Sequence, residues 1–271
     1  MPTTRGAENA DSHILTTLDK GLHVLGALSE DGASSMNLTM LSRSLGMHRT
    51  TLFRILGTLQ ARGYVRRDPD GDGYRLGVRV LSLASSVLAD LDVRKAGHQP
   101  LQQLCQDTGE LVFLTVLDGD EVVTIERLEG SHTVSLRAQI GSRRPAYCTA
   151  AGKAIVAFLP ELQASAIVDR ELVAHTPRTI TFPTLLRQHL TEVCRRGFAW
   201  DDEEYLAGVR CVAAPIFGME RTVLGAVSLA APTMRTSWER LWQLGPRART
   251  TAREISRQLG APEELFDRFA D

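Results

Sequence analysis

Two stretches of this chain gather side chains that could do chemistry. Asp201, Asp202, Glu203 and Glu204 crowd a loop before a strand that carries Val209 and Cys211. Paired carboxylates can serve as general acid and base, and a cysteine becomes a nucleophile when a base such as histidine activates it. The nearest histidines in sequence, His175 and His189, sit in no pattern that would place them beside Cys211. The chain contains no G-x-S-x-G, H-E-x-x-H or phosphate-loop motif. These residues therefore argue against catalysis, and a run of acids is otherwise the mark of a solvated face. The second stretch, Thr149-Ala150-Ala151-Gly152-Lys153, opens a helix on very small side chains. Free N–H groups and a partial positive charge suit the first turn of a helix to a carboxylate, which small side chains let approach. Close packing of a helix on a sheet asks for the same small residues, so both readings stand.

Cys105, Cys148, Cys194 and Cys211 lie far apart, with no C-x-x-C pair. They are expected to be reduced thiols, without a zinc site, since structural zinc takes closely spaced ligand pairs. No metal or other cofactor is expected.

A third chemistry lies in the arginines. The formal net charge is −1, yet residues 36–79 hold eight arginines against three aspartates, a local excess of five positive charges. The rest of the chain carries a net charge of −6 in balance. Such asymmetry marks a basic patch for nucleic acid. The elements that would position it are legible. Leu15, Leu18, Leu22 and Leu25 recur at three and four residues, the stripe of an amphipathic helix over 14–28. Asn37 can cap a shorter helix with Leu38, Leu41 and Leu45 inward, and Gly46 makes the turn after it. A third helix spans about 48–62, with Leu52, Ile55, Leu56 and Leu59 buried and Thr50, Arg54, Gly57 and Ala61 on the opposite face. A recognition helix presents its N-terminal residues to base edges, which makes Thr50 and Arg54 the base-contact candidates, flanked by Arg49 and Thr51. A strand at 64–67, a turn cluster at 68–73 and a return strand at 74–76 form a hairpin directly after that helix. This is the wing of a winged helix-turn-helix, with Arg66, Arg67 and Arg75 placed to meet phosphates or the minor groove.

From 78 to 91 the apolar residues Val78, Val80, Leu81, Leu83, Val87, Leu88 and Leu91 fall on more than one side of a helix. Extra apolar surface implies a second neighbour, most simply the same helix of another subunit. Beyond it, strands at 111–117 and 121–128 form a hairpin, a third strand is expected at 133–140, and helices follow at 149–159, 162–169 and 184–195. Strands at 198–200, 209–217 and 223–229 precede a final helix at 238–259. Strands at both ends with helices between them predict an α+β fold, one antiparallel sheet with flanking helices. The expected organisation is a loose tail at 1–13, a DNA-binding domain at 14–77, a dimerisation linker at 78–92, a second domain at 93–260 and a polar tail at 261–271. The polar N-terminus and the lack of a long apolar run point to a cytoplasmic protein away from membranes.

Taken together, these residues resemble the IclR family of transcription regulators. Residues 38–64 followed by Arg66-Arg67-Asp68-Pro69 and Tyr74-Arg75-Leu76-Gly77 are similar to its winged helix, and Thr149 to Ala154 to its small-residue helix start. Gly197, Asp201, Glu204, Cys211, Val212, Ala213, Ile216 and Phe217 match the family signature's spacing, with Gly218 where Asp or Asn is usual. The resemblance implies a GAF-like effector-binding domain and homodimers that pair into homotetramers on a palindromic double-stranded operator. It also implies control by a small organic acid, of the keto acid or aromatic acid type. Carried over by position, the effector residues are Ala146, Ala150, Ala151, Asp201, Val209, Cys211 and Ser228, with Tyr147 at the mouth. Ala150 stands where some relatives have glycine. A ligand-independent DNA binder is the rival, and it would be indifferent to replacement of Asp201 and Cys211.

Overall fold

The computed structural model describes residues 15–30, 35–90, 92–132, 139–267 and 269. The expected tail at 1–13 and most of the strand expected at 133–140 lie outside them. The chain divides into two compact units, residues 1–90 and 91–271.

The first unit runs α1 (Thr16–Glu30), α2 (Leu38–Leu45), α3 (Arg49–Ala61), β1 (Val65–Arg67), β2 (Tyr74–Leu76) and α4 (Arg79–Asp90). Asn37 caps α2 by accepting from the Met40 amide at 2.9 Å, and Gly46 leaves the helix at φ +61°. Leu41, Leu52 and Leu56 are fully buried, each contributing about 1.5–3 kcal/mol of apolar burial. The face α1 turns inward differs from the expected leucine stripe. Val24, Ala27 and Leu28 are buried, whereas Leu15, Leu18 and Leu22 are exposed. The helix is apolar on two sides, and periodicity cannot tell which side meets the core. The hairpin pairs Arg66 with Arg75 and Arg67 with Tyr74. Gly77 locks it to the end of α3, because a Cβ there would fall 2.2 Å from the Gly63 carbonyl oxygen. On α4, Val78 just before the helix and Leu81 and Leu83 within it are exposed; the side chains from 85 to 91 lie outside those described.

The second unit holds one six-stranded antiparallel sheet in the order β5-β4-β3-β8-β7-β6. The strands are β3 (Leu111–Asp118), β4 (Glu121–Leu128), β5 (Arg143–Pro145), β6 (Ala199–Asp202), β7 (Val209–Phe217) and β8 (Val223–Pro232). The helices are α5 (Asp92–Thr108), α6 (Ala150–Val156), α7 (Glu161–Val168), α8 (Pro183–Arg196) and α9 (Trp238–Gln258). Helices α5 and α9 pack on each other and on the sheet, with Gly97 of α5 close to Leu114 and Ile255. The small helix α6 packs on β7 and β8, where its alanines join Ala199, Ala213 and Ala226 in one apolar cluster. Strand alternation thus gives the sheet two apolar faces. Strand β5 was not expected; it pairs Arg144 with Val122 at the sheet edge.

After α9, the described residues of the expected polar tail include an apolar set. Ala261, Leu265, Phe266 and Phe269 are buried against Phe217, and Phe158 meets Phe217 edge-on at 5.2 Å. The acids Glu263 and Glu264 hid an apolar set in the sequence, and Glu263 pairs with Arg257 at 2.6 Å.

Candidate functional site

In the first unit, the N-terminal turn of α3 is open. Arg49, Thr50 and Arg54 are exposed, Thr51 is half-buried, and the Thr50 hydroxyl lies 3.0 Å from His48 Nδ1. Gly57 and Ala61 share the exposed side as expected, joined by Phe53, an exposed aromatic that the sequence reading passed over. The first amides of a helix have no intrahelical acceptor and suit a phosphate oxygen.

The three wing arginines differ. Arg67 lays its guanidinium over the Tyr74 ring at 4.2 Å and donates to the Asp72 carbonyl. Arg75 pairs with Asp68 at 3.0 Å. The Asp68 carboxyl is held below the usual carboxylate range, chiefly by a hydrogen bond from Ser35 and also by Arg75. Arg66 is exposed and has no side-chain partner among the described residues.

In the second unit, a cavity of about 230 Å³ opens under α6. Every strand of the sheet reaches it: Phe113 and Thr115 from β3, Val122 from β4, Arg144 from β5, Asp201 from β6, Val209 and Cys211 from β7, Ser228 and Ala230 from β8. Thr149, Ala150 and Ala151 close one side, and Tyr205 and Leu206 another. Arg144 and Asp201 come from the two edge strands of the same sheet. Only a strongly curled sheet brings those edges to one cavity.

The small-residue stretch divides its work. Ala150 and Ala151 line the cavity, while Gly152 serves packing, since a Cβ there would fall 2.1 Å from the Ala146 carbonyl oxygen. Thr149 takes up one free donor of the turn by accepting from the Gly152 amide at 3.2 Å. Ala146, expected among the effector residues, is fully buried beneath Gly152 and does not line the cavity. Tyr147 is also outside that wall; its hydroxyl donates to the Val173 carbonyl at 2.6 Å. The other six expected effector residues, Ala150, Ala151, Asp201, Val209, Cys211 and Ser228, line the cavity together with Thr149 and Tyr205.

The acidic run is not a solvated face. Asp201 and Glu204 are buried, and the fully buried Lys153 of α6 makes an ion pair with Glu204. Asp201 Oδ1 accepts from the Glu204 amide at 2.7 Å. Burial pushes the Asp201 carboxyl up to about 7 against the opposing pull of Lys153, and burial also raises Glu204. Asp202 pairs with Arg210 at 2.7 Å and with Arg178. The turn that follows places Glu203 at φ +61°, closed by its carboxylate accepting from the Gly208 amide at 2.8 Å. Thr176 and Thr179 hold that turn from outside, donating to the Glu203 and Glu204 carbonyls, each at 2.6 Å.

Burial holds the Cys211 thiol well above its ordinary range, and Cys148 up to about 12. His189 is pushed down to about 3 by burial and by Lys153, and its ring lies 4.2 Å from that of Trp200. A neutral thiol with no paired base is a poor nucleophile. Among the described residues, no group of three histidine, cysteine or acidic side chains could hold a metal ion, and no helix is long and apolar enough to cross a membrane.

Sequence reasoning missed Arg144, Phe113, Thr115, Val122, Tyr205, Leu206 and Ala230. The double arginine before Pro145 was the available signal, but its strand is three residues long and gives no alternation to read.

Comparison with known proteins gives a consistent result. Residues 17–69 match the model of the IclR helix-turn-helix domain, and residues 85–257 that of the bacterial transcriptional regulator IclR C-terminal domain. The chain is 32% identical over 250 residues to the HTH-type transcriptional regulator XynR of Escherichia coli K12, covering 92% of this chain and 99% of that one. It is 31% identical over 268 residues to the transcriptional repressor IclR of the same organism, covering 96% and 97%. Among solved structures, Thermotoga maritima IclR superposes with a TM-score of 0.73 at 29% identity, over 91% of this chain and 100% of that one. The IclR regulator of Alicyclobacillus acidocaldarius gives 0.79 at 26% identity, over 92% and 100%.

Proposed function

Because this chain belongs to the IclR family of DNA-binding transcription regulators, we propose that a small organic acid bound in the cavity controls how tightly the winged helix holds its operator. The single observation that carries this reading is the cavity itself, to which all six strands, α6 and the loop after β6 contribute. A space with an apolar body and a few converging polar groups is the usual form of a small-molecule site. Asp201, Val209, Cys211, Ser228, Ala150 and Ala151 are its effector-contacting residues.

On the DNA side, Thr50 and Arg54 read base edges in the major groove, with Arg49 and Thr51 beside them. Arg66, and behind it Arg67 and Arg75, meet the backbone flanking the groove. The protein acts in the cytoplasm as a homodimer on a palindromic operator, and dimers pair into tetramers. The exposed Val78, Leu81 and Leu83 beside and within α4 support the pairing. The effector works by shifting populations: it binds more tightly to one placement of the two winged helices, so half-site spacing fits the operator better or worse.

The test is fluorescence anisotropy with DNA from just upstream of the chain's own gene, with and without a panel of small organic acids. Tight binding that one acid strengthens or weakens supports the proposal. Affinity no greater than for unrelated DNA at moderate salt, equal in wild type and Arg54→Ala, would sink the DNA-reading assignment. Operator binding that no acid changes would leave the DNA role and remove the effector.

A further inference from the structure

We propose that Arg144 is the carboxylate-binding residue of the cavity, and that it selects monocarboxylates with a compact apolar or aromatic body. This rests on the effector reading above and deepens it.

The two consecutive arginines of β5 have different duties. Arg143 is saturated from outside: Asp118 Oδ2 lies 2.8 Å from its Nη1 and Glu121 Oε2 2.7 Å from its Nε. Arg144 faces the cavity and pairs with no carboxylate among the described residues. Its guanidinium carbon lies 5.7 Å from the centroid of the Phe113 ring. A guanidinium over an aromatic face keeps its N–H edges free for a planar, two-point bond to a carboxylate.

The other charged side chains offer no competing cation. Lys153 is fully buried and committed to Glu204, so it offers no free charge to a ligand. Helix α6 is only seven residues long, and Thr149 already satisfies the Gly152 amide. Asp201 lies on the opposite edge strand, and its carboxyl offers no positive charge to an acid. The acid end therefore faces β5, and the body of the ligand points across Phe113, Val122 and Val209 toward Asp201, Ser228 and Cys211. At about 230 Å³, the cavity is smaller than the roughly 300–1,000 Å³ of sites for drug-sized ligands, which confines the class to small acids.

The experiment is isothermal titration of the full-length protein with pyruvate, benzoate, phenylacetate and 4-hydroxybenzoate, each beside its primary amide. The wild type is expected to bind at least one acid and to prefer it over the amide. In Arg144→Gln, affinity for that acid should fall about 10- to 100-fold, the range for losing a charged hydrogen-bonded partner. Affinity for the amide should hold, so the acid-to-amide ratio collapses toward one. Arg144→Lys, which keeps the charge and loses the planar fork, should fall between. An acid that binds the wild type and both variants equally overturns the assignment of Arg144 and leaves the effector reading intact. If none of the four acids binds the wild type, the assignment of this monocarboxylate class falls, while the effector reading stands or falls on the operator-binding test above. Arg144 is half-buried at a sheet edge, and Arg144→Lys provides the comparison should Arg144→Gln fold poorly.

Discussion

Lys153 and Glu204 form an ion pair between a fully buried ammonium and a nearly buried carboxylate, and it ties α6 to the loop after β6. Both elements wall the cavity. The second carboxylate oxygen of Glu204 is buried with no hydrogen-bond partner among the described residues. The pair thus holds the cavity in shape while leaving little slack. Removing only the lysine strands a buried carboxylate, which typically costs about 3–5 kcal/mol. Urea denaturation should show Lys153→Met losing stability on that scale. The double variant Lys153→Met with Glu204→Leu should recover most of the loss, since apolar replacement of a buried pair is often neutral. Equal stability of wild type and Lys153→Met would mean that the pair carries no structural weight.

Asp201 gives the fold a pH dependence. Burial raises its carboxyl from the ordinary value near 3.8 to about 7 in the folded protein. A raised acid binds its proton more tightly when folded, so its contribution to stability is fully present below about 3.8. That contribution declines as pH rises and is lost by about 7. Other titrating groups cancel when the variant Asp201→Asn is compared with wild type at each pH. Thermal melts should show the two close near the acid end of the window and the variant more stable above it, by a few kcal/mol. A difference that stays flat across the window would place the titration of Asp201 near its ordinary value.

The wing arginines should separate in a salt titration of DNA binding. Arg66 has no competing partner among the described residues, so Arg66→Ala should weaken binding to all sequences alike. It should also reduce the slope of log affinity against log salt by about one. Arg75 is engaged by Asp68, so Arg75→Ala should change that slope less and instead loosen the hairpin. Identical slopes for the two variants would show that the Arg75–Asp68 pair opens on DNA.

Much of the fold was legible because it is written in local patterns. The Asn37 cap, the Gly46 turn, the stripe of α3 and the bounds of β4 and β7 follow from residue type and period alone, since capping, left-handed turns and helix faces are decided within a few residues. The failures share a cause. On α1 two faces are apolar, and only contact with α2 and α3 decides that Val24 goes in and Leu18 stays out. In the terminal segment, Phe266 and Phe269 are core because Phe217 and Phe158 happen to stand above them.

For the cavity, the order of residues along the chain settles which small, polar and acidic side chains are available, whereas the pairing of Asp201 with Cys211 is a property of the folded sheet. Only the packing of α6 on the sheet separates Gly152, which lies against the Ala146 backbone, from Ala150, which lines the cavity. The tertiary structure also decided that the acidic run is buried instead of solvated. Above all it brought Arg144 from one edge of the sheet to the cavity that Asp201 reaches from the other. Strand order and curl are non-local: they depend on how six strands pair and twist together, and no window of residues along β5 or β6 contains that information.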